Sequence, residues 1–192
     1  MNKSINTFTK LRWKNFLSYG KNFTEISLNL KKIVNITGKN GKGKSVFIDA
    51  LHFALTGKPF RKVKMSEIPN TINKKNCVVE LELNRGKKKI FIRRGLNPKI
   101  FEIKINNKPV DEDSRSLDEQ EFLEKLLGFN SKTLRHTIIM SSMNYSPFLK
   151  MAAAEKRLFI DDILNISDFT HLSVFVKKKF SILQTKISDI NT

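Results

Sequence analysis

The chain has 192 residues, 40% apolar and 28% charged, a balance that places it among soluble globular proteins with one compact domain. Cys77 is the only cysteine, which excludes an intrachain disulfide and a multi-cysteine zinc site and suits a reducing compartment. Lysine and arginine outnumber aspartate and glutamate by 36 to 18, and the resulting +18 is spread along the chain, which favours a polyanionic partner. A lysine- and asparagine-rich genome would also place many of these lysines on solvated faces.

In chain order, Thr7 to Phe16 is a basic run containing aromatic residues, followed by a Ser18-Tyr19-Gly20 turn and the alternating segment Phe23 to Leu28. These read as two antiparallel strands. The start of the chain lacks the apolar run of a signal peptide, and no stretch approaches the roughly 18 apolar residues of a membrane span, so a cytoplasmic protein is expected. Residues 32–37, with Ile33-Val34-Asn35-Ile36, predict a short strand running into Gly38, and Lys44 to Thr56 has helical apolar spacing. Gly57-Lys58-Pro59 ends that helix. Residues 77–83, 88–94 and 100–105 predict a three-stranded meander, and 117–127 and 130–136 predict two helices. A short apolar strand at Thr137 to Met140, a loop from Ser141 to Pro147 and helix to the end complete the reading.

In the last helix Phe169, Leu172, Val176, Phe180, Leu183, Ile187 and Ile190 step by three or four residues. That spacing describes a coiled-coil seam, and also an amphipathic helix packed on its own domain.

Gly38-Lys39-Asn40-Gly41-Lys42-Gly43-Lys44-Ser45 matches the phosphate-loop pattern GxxxxGK[ST]. Glycines permit positive φ and close backbone approach; successive N–H groups form an anion nest, to which the following helix adds its positive end. With Val46 completing the set, the loop is expected to bind ATP, Lys44 reaching the β- and γ-phosphates and the Ser45 hydroxyl ligating magnesium. Asp49, one turn on, is expected to be only a helix residue.

Hydrolysis also needs an acid at the end of a hydrophobic strand. Leu158-Phe159-Ile160-Asp161-Asp162 imitates one, but its neighbours give it helical periodicity. Val78 to Leu83 alternates apolar and acidic residues, as a half-exposed strand with a solvated face does. The catalytic residues are therefore not identified in this chain.

Lys14-Asn15-Phe16 in the first strand, the phosphate loop, and a polar loop leading into a coiled coil resemble the SMC-like ATPases of DNA repair. Gly57-Lys58-Pro59-Phe60-Arg61, Asn73-Lys74-Lys75 and Tyr145-Ser146-Pro147-Phe148 look most like the branch containing the large subunit of the T-even phage recombination endonuclease, alongside bacterial SbcC and eukaryotic Rad-fifty.

The resemblance implies an α/β fold: the N-terminal lobe of an ABC-type P-loop ATPase head, a mixed sheet with an antiparallel meander plus helices, over residues 1–166. A coiled coil begins at 167–192. It implies that a C-terminal lobe of the same ATPase carries the signature motif and the catalytic acid. It further implies that two heads dimerise around ATP and magnesium, and that a nuclease subunit acts on DNA ends. Relatives often carry a basic residue where Leu17 stands, and a glutamine in the stretch occupied by Met140-Ser141-Ser142, where Ser141 is the candidate magnesium contact through water.

Arg93, Arg94, Lys104 and Lys108 on the meander and Lys177, Lys178 and Lys179 on the last helix are candidates for DNA phosphate contacts. Two other functions fit parts of the sequence: a self-contained P-loop enzyme such as a small-molecule kinase, and a non-catalytic DNA-binding module.

Overall fold

The computed structural model describes residues 5–29, 33–110, 119–129, 131–134, 151–164 and 167–190. Among the described residues six strands form one sheet: β1 (Asn6–Lys14), β2 (Thr24–Ser27), β3 (Cys77–Arg85), β4 (Lys88–Leu96), β5 (Ile100–Ile105) and β6 (Lys108–Pro109), in the order β2-β1-β3-β4-β5-β6. Each pairing among them is antiparallel. The expected hairpin and meander are thus parts of a single sheet, because β1 pairs with β2 on one edge and with β3 on the other.

Side chains alternate across a strand, so register decides which residues meet. Leu11, Leu81, Ile92 and Ile103 are aligned across β1, β3, β4 and β5, and all four are buried. This inner face is covered by α1 (Val46–Thr56) and α2 (Glu119–Leu127), which bring Ala50, Phe53, Ala54, Leu123 and Leu127 into the same core. Full burial of each leucine, isoleucine or phenylalanine side chain here is worth about 1.5–3 kcal/mol.

The opposite face carries a row of alternating charge, Glu25, Arg12, Glu80, Arg93 and Glu102, in register across five strands. Glu80 pairs with both Arg12 and Arg93, and Arg93 also reaches Glu102 at 3.8 Å. The solvated face expected for β3 is therefore corrected at Glu80, which is only 5% exposed because two guanidinium groups cover it.

Helix α1 stops where its sequence indicates. Gly57 adopts φ 73° and its N–H donates to the Phe53 carbonyl at 2.8 Å. Two further carbonyls of the last turn are satisfied from outside the helix, Ala54 by Arg94 and Leu55 by Gln120.

In the described part of the strand expected at 32–37, residues 33–37, no strand forms: residues 33–39 are irregular and exposed, with Ile33 at 85% and Val34 at 49% exposure. A strand requires a neighbour to take its N–H and C=O groups, and among the described residues none lies alongside this segment. The expected strand at 137–140 and the loop at 141–147 lie outside the described residues, as do Ser141 and the Tyr145 to Phe148 stretch.

After α3 (Ser131–Thr133), a single turn within the helix expected at 130–136, come α4 (Ala153–Leu164) and α5 (Ser167–Ile190). Leu158 to Asp162 lies inside α4, as its periodicity indicates, and not at a strand end. On α5 the seam residues Leu172, Val176, Phe180 and Leu183 are all exposed. No helix among the described residues is long and apolar enough to cross a membrane.

Candidate functional site

The loop at Gly38 to Ser45 leads directly into α1. Gly41 and Gly43 adopt φ 76° and 83°, a region that side-chain-bearing residues rarely enter. These reversals let the loop curl instead of entering the helix early. The helix begins at Val46, whose N–H donates to the Gly43 carbonyl at 3.0 Å.

The result is a set of donors with nothing to donate to. Among the described residues, the backbone N–H groups of Gly41, Gly43, Lys44 and Ser45 reach no protein acceptor. Ser45 caps α1 through its backbone, and its side chain makes no capping bond, leaving its hydroxyl uncommitted. Lys39 and Lys42 are exposed on the same loop, and the helix N-terminus adds its positive end. N–H groups, ammonium groups and a helix dipole of the same sign are thus carried by one short loop and the helix start it feeds, which suits an anion of several charges.

Lys44 is folded back on its own loop. Its Nζ donates to the Gly38 carbonyl at 2.6 Å, the Lys39 carbonyl at 2.9 Å and Asn40 Oδ1 at 3.4 Å. These acceptors hold the ammonium over the rim of the nest. Asp49 does not join it: buried in α1, it accepts from the Arg61 backbone N–H at 3.0 Å and Arg61 Nε at 2.7 Å. That pair ties the first turns of α1 to the Gly57-to-Arg61 segment, in keeping with a structural residue.

Sequence reasoning missed the turn that touches the loop. Tyr19 and Ser18 lie against Gly43, and the Tyr19 hydroxyl is 3.5 Å from the Gly43 carbonyl. Ser18-Tyr19-Gly20 announces a turn, but no local pattern reveals that it faces a loop 24 residues further on.

The candidate DNA residues are not brought into one group. Arg93 and Arg94 are sequence neighbours on β4 and so lie on opposite faces. Arg93 belongs to the alternating charge row, partly neutralised by Glu80 and Glu102. Arg94 is on the inner face, its guanidinium 3.5 Å from the Phe101 ring centroid and bonded to Ala54 and Gln120. The structure engages it in packing. Lys104 lies near Phe91, beside a groove of about 550 Å³ on the outer face, and Lys108 is exposed on the edge strand. Lys177, Lys178 and Lys179 are exposed on α5.

Residues 10–191 match the family described as AAA domain, and the chain belongs to that family. It is 34% identical over 177 residues to exonuclease subunit 2 of Escherichia phage RB69, covering 92% of this chain and 32% of that protein. To the SbcC component of nuclease SbcCD from Staphylococcus saprophyticus it is 27% identical over 189 residues, covering 91% of this chain and 17% of that protein. The chain thus spans a third or less of the length of these curated relatives. A solved chain from work on ATP-driven dimerization and DNA-stimulated activation of SMC ATPases aligns with TM-score 0.58 at 24% identity, over 82% of this chain and 99% of that one. The resemblance to SMC-like ATPase heads read from the sequence is borne out in both family and fold.

Proposed function

We propose that this chain is the ATP-binding N-terminal lobe of an SMC-like ATPase head that controls a DNA nuclease. The observation that carries the reading is the nest itself: four unpaired N–H groups and an uncommitted Ser45 hydroxyl at the mouth of α1, with Lys44 on its rim. Gly38 to Val46 would surround the triphosphate. Lys44 would exchange its carbonyl partners for β- and γ-phosphate oxygens. An uncommitted hydroxyl at the helix start is a donor set that fits magnesium, which would supply charge neutralisation between the two phosphates.

Residues 1–166 form the lobe in this reading, and 167–192 begin the coiled coil; the exposed apolar seam of α5 supports a helical partner there. The exposed Ile33-to-Ile36 segment supports a strand supplied by the C-terminal lobe, which would also bring the signature motif and catalytic acid. Two such heads would close on ATP. Lys104, Lys108 and Lys177 to Lys179 remain the candidates for sequence-independent DNA phosphate contacts. DNA affinity should then fall steeply with added salt, through counterion release.

Titration calorimetry with ATP tests the nucleotide site. Magnesium-dependent uptake by the unmodified chain, lost in Lys44→Ala, is expected. Equal uptake by the variant would overturn the assignment. Purified residues 1–192 should turn over negligible ATP, whereas Lys44-dependent turnover would favour a self-contained enzyme.

A further inference from the structure

Of the three glycines in the phosphate loop, only Gly43 lies close against another segment of the fold. A Cβ added at Gly38 would meet only the methylenes of Lys44 at 3.7 Å, and one at Gly41 would meet nothing within 4 Å. At Gly43 it would lie 3.1 Å from Ser18 Oγ and 3.2 Å from Tyr19 Cε2. Gly43 is therefore set against a wall formed by the turn after β1.

That wall is anchored from behind. Leu17 N–H donates to the Ile68 carbonyl at 2.7 Å, and Asn70 returns its backbone N–H to Asn15 at 2.8 Å and its side-chain amide to Leu17 at 3.0 Å. The Asn15 amide donates to the Lys75 carbonyl at 2.9 Å, while Asn73 donates to Asn15 Oδ1 at 2.8 Å. The Tyr19 ring itself stands edge-on to Trp13, with centroids 5.3 Å apart and planes at 81°, and Trp13 belongs to the core. The wall is thereby continuous with the sheet.

Its effect reaches the nest through one peptide unit. The Tyr19 ring edge against Gly43 restricts how this residue can turn, and the Gly43 carbonyl accepts from Val46 N–H at 3.0 Å, the Tyr19 hydroxyl at 3.5 Å adding only a long contact. A trans peptide is planar, so fixing the direction of this carbonyl points the N–H of Lys44 the opposite way. That N–H has no protein acceptor among the described residues.

We propose that Tyr19 is a positioning residue for the phosphate loop: its ring, with the Ser18 hydroxyl beside it, sets the Gly43–Lys44 peptide so that the Lys44 N–H faces a bound phosphate. The inference rests on the phosphate-site reading given above. It assigns Tyr19 no contact with the nucleotide base, and this makes it separable from a base-stacking role.

The test measures magnesium-dependent binding of ATP, GTP and inorganic tripolyphosphate to the full chain. Tyr19→Ala should weaken all three by a common factor of about tenfold, the equivalent of ~1.4 kcal/mol. Tyr19→Phe, which keeps the ring and loses only a long hydroxyl contact, should stay within about twofold of the unmodified protein for all three. If Tyr19→Ala fails to fold, Tyr19→Leu replaces it, filling space against Trp13 without presenting a ring edge to Gly43. Unchanged affinity in the folded variant overturns the inference while leaving the phosphate site standing. A loss confined to ATP and GTP, with tripolyphosphate unaffected, overturns it in favour of base contact. If the unmodified chain binds none of the probes, the phosphate-site reading falls first and this inference with it.

Discussion

Arg94 donates from Nε to the Ala54 carbonyl at 2.8 Å, so a strand side chain supplies α1 with the cation that its own last turn lacks. The same guanidinium covers the Phe101 ring and bonds Gln120, which in turn caps Leu55. A helix C-terminus, an aromatic ring and a second helix are joined through one residue.

Arg94→Ala should therefore destabilise the fold by about 2 kcal/mol, the scale of hydrogen bonds to a charged group, read from urea unfolding. DNA affinity, measured where the variant remains folded, should be unchanged. Retained stability with lost DNA binding would instead return Arg94 to the DNA contacts.

Glu80 sits between Arg12 and Arg93 and is 5% exposed, whereas Glu102 at the end of the same row has a side chain 43% exposed. Removing the Glu80 carboxylate breaks charge-assisted bonds to two guanidinium groups that are themselves over a third exposed and costs about 1.5–3 kcal/mol, whereas removing an exposed carboxylate costs about 0–1 kcal/mol. Glu80→Gln should unfold at clearly lower denaturant than Glu102→Gln. Equal midpoints would show that the row is solvated along its whole length.

Gly43→Ala combines a φ of 83° with contacts of 3.1 and 3.2 Å to Ser18 and Tyr19, while Gly41→Ala meets only the strain of φ 76°. The left-handed conformation costs a non-glycine residue about 1–2 kcal/mol at either site. The extra crowding should make Gly43→Ala the poorer binder of ATP and of tripolyphosphate in calorimetry. Gly41→Ala being equally impaired would count against the close approach.

Cys77 is fully buried, and burial pushes its thiol from 9.0 up to about 12, offset in part by a hydrogen bond with the Leu96 backbone. Iodoacetamide at pH 8 should modify the native chain far more slowly than the urea-unfolded one. The folded state keeps this proton where the unfolded chain releases it. The thiol's contribution to stability is accordingly full below pH 9 and is lost as pH rises from 9 towards 12. Cys77→Ala should flatten that alkaline decline, followed by denaturation at stepped pH.

Local pattern was enough for the loop, the first helix and the meander. Glycines at 38, 41 and 43 before Lys44-Ser45 specify the phosphate loop, apolar spacing specifies α1, and three alternating segments specify the meander, because each depends on neighbours a few residues away. Tertiary structure decided what distant segments do to one another. Alternation along β4 separates Arg93 from Arg94, but only the packed sheet assigned their fates, one in a charge row with Glu80 and one beneath α1. Ile33 to Ile36 has strand composition, yet composition cannot supply the neighbouring strand whose hydrogen bonds would make it one. The meeting of Tyr19 with Gly43 was likewise invisible in one dimension, since only the folded sheet carries the first turn to the lip of the loop.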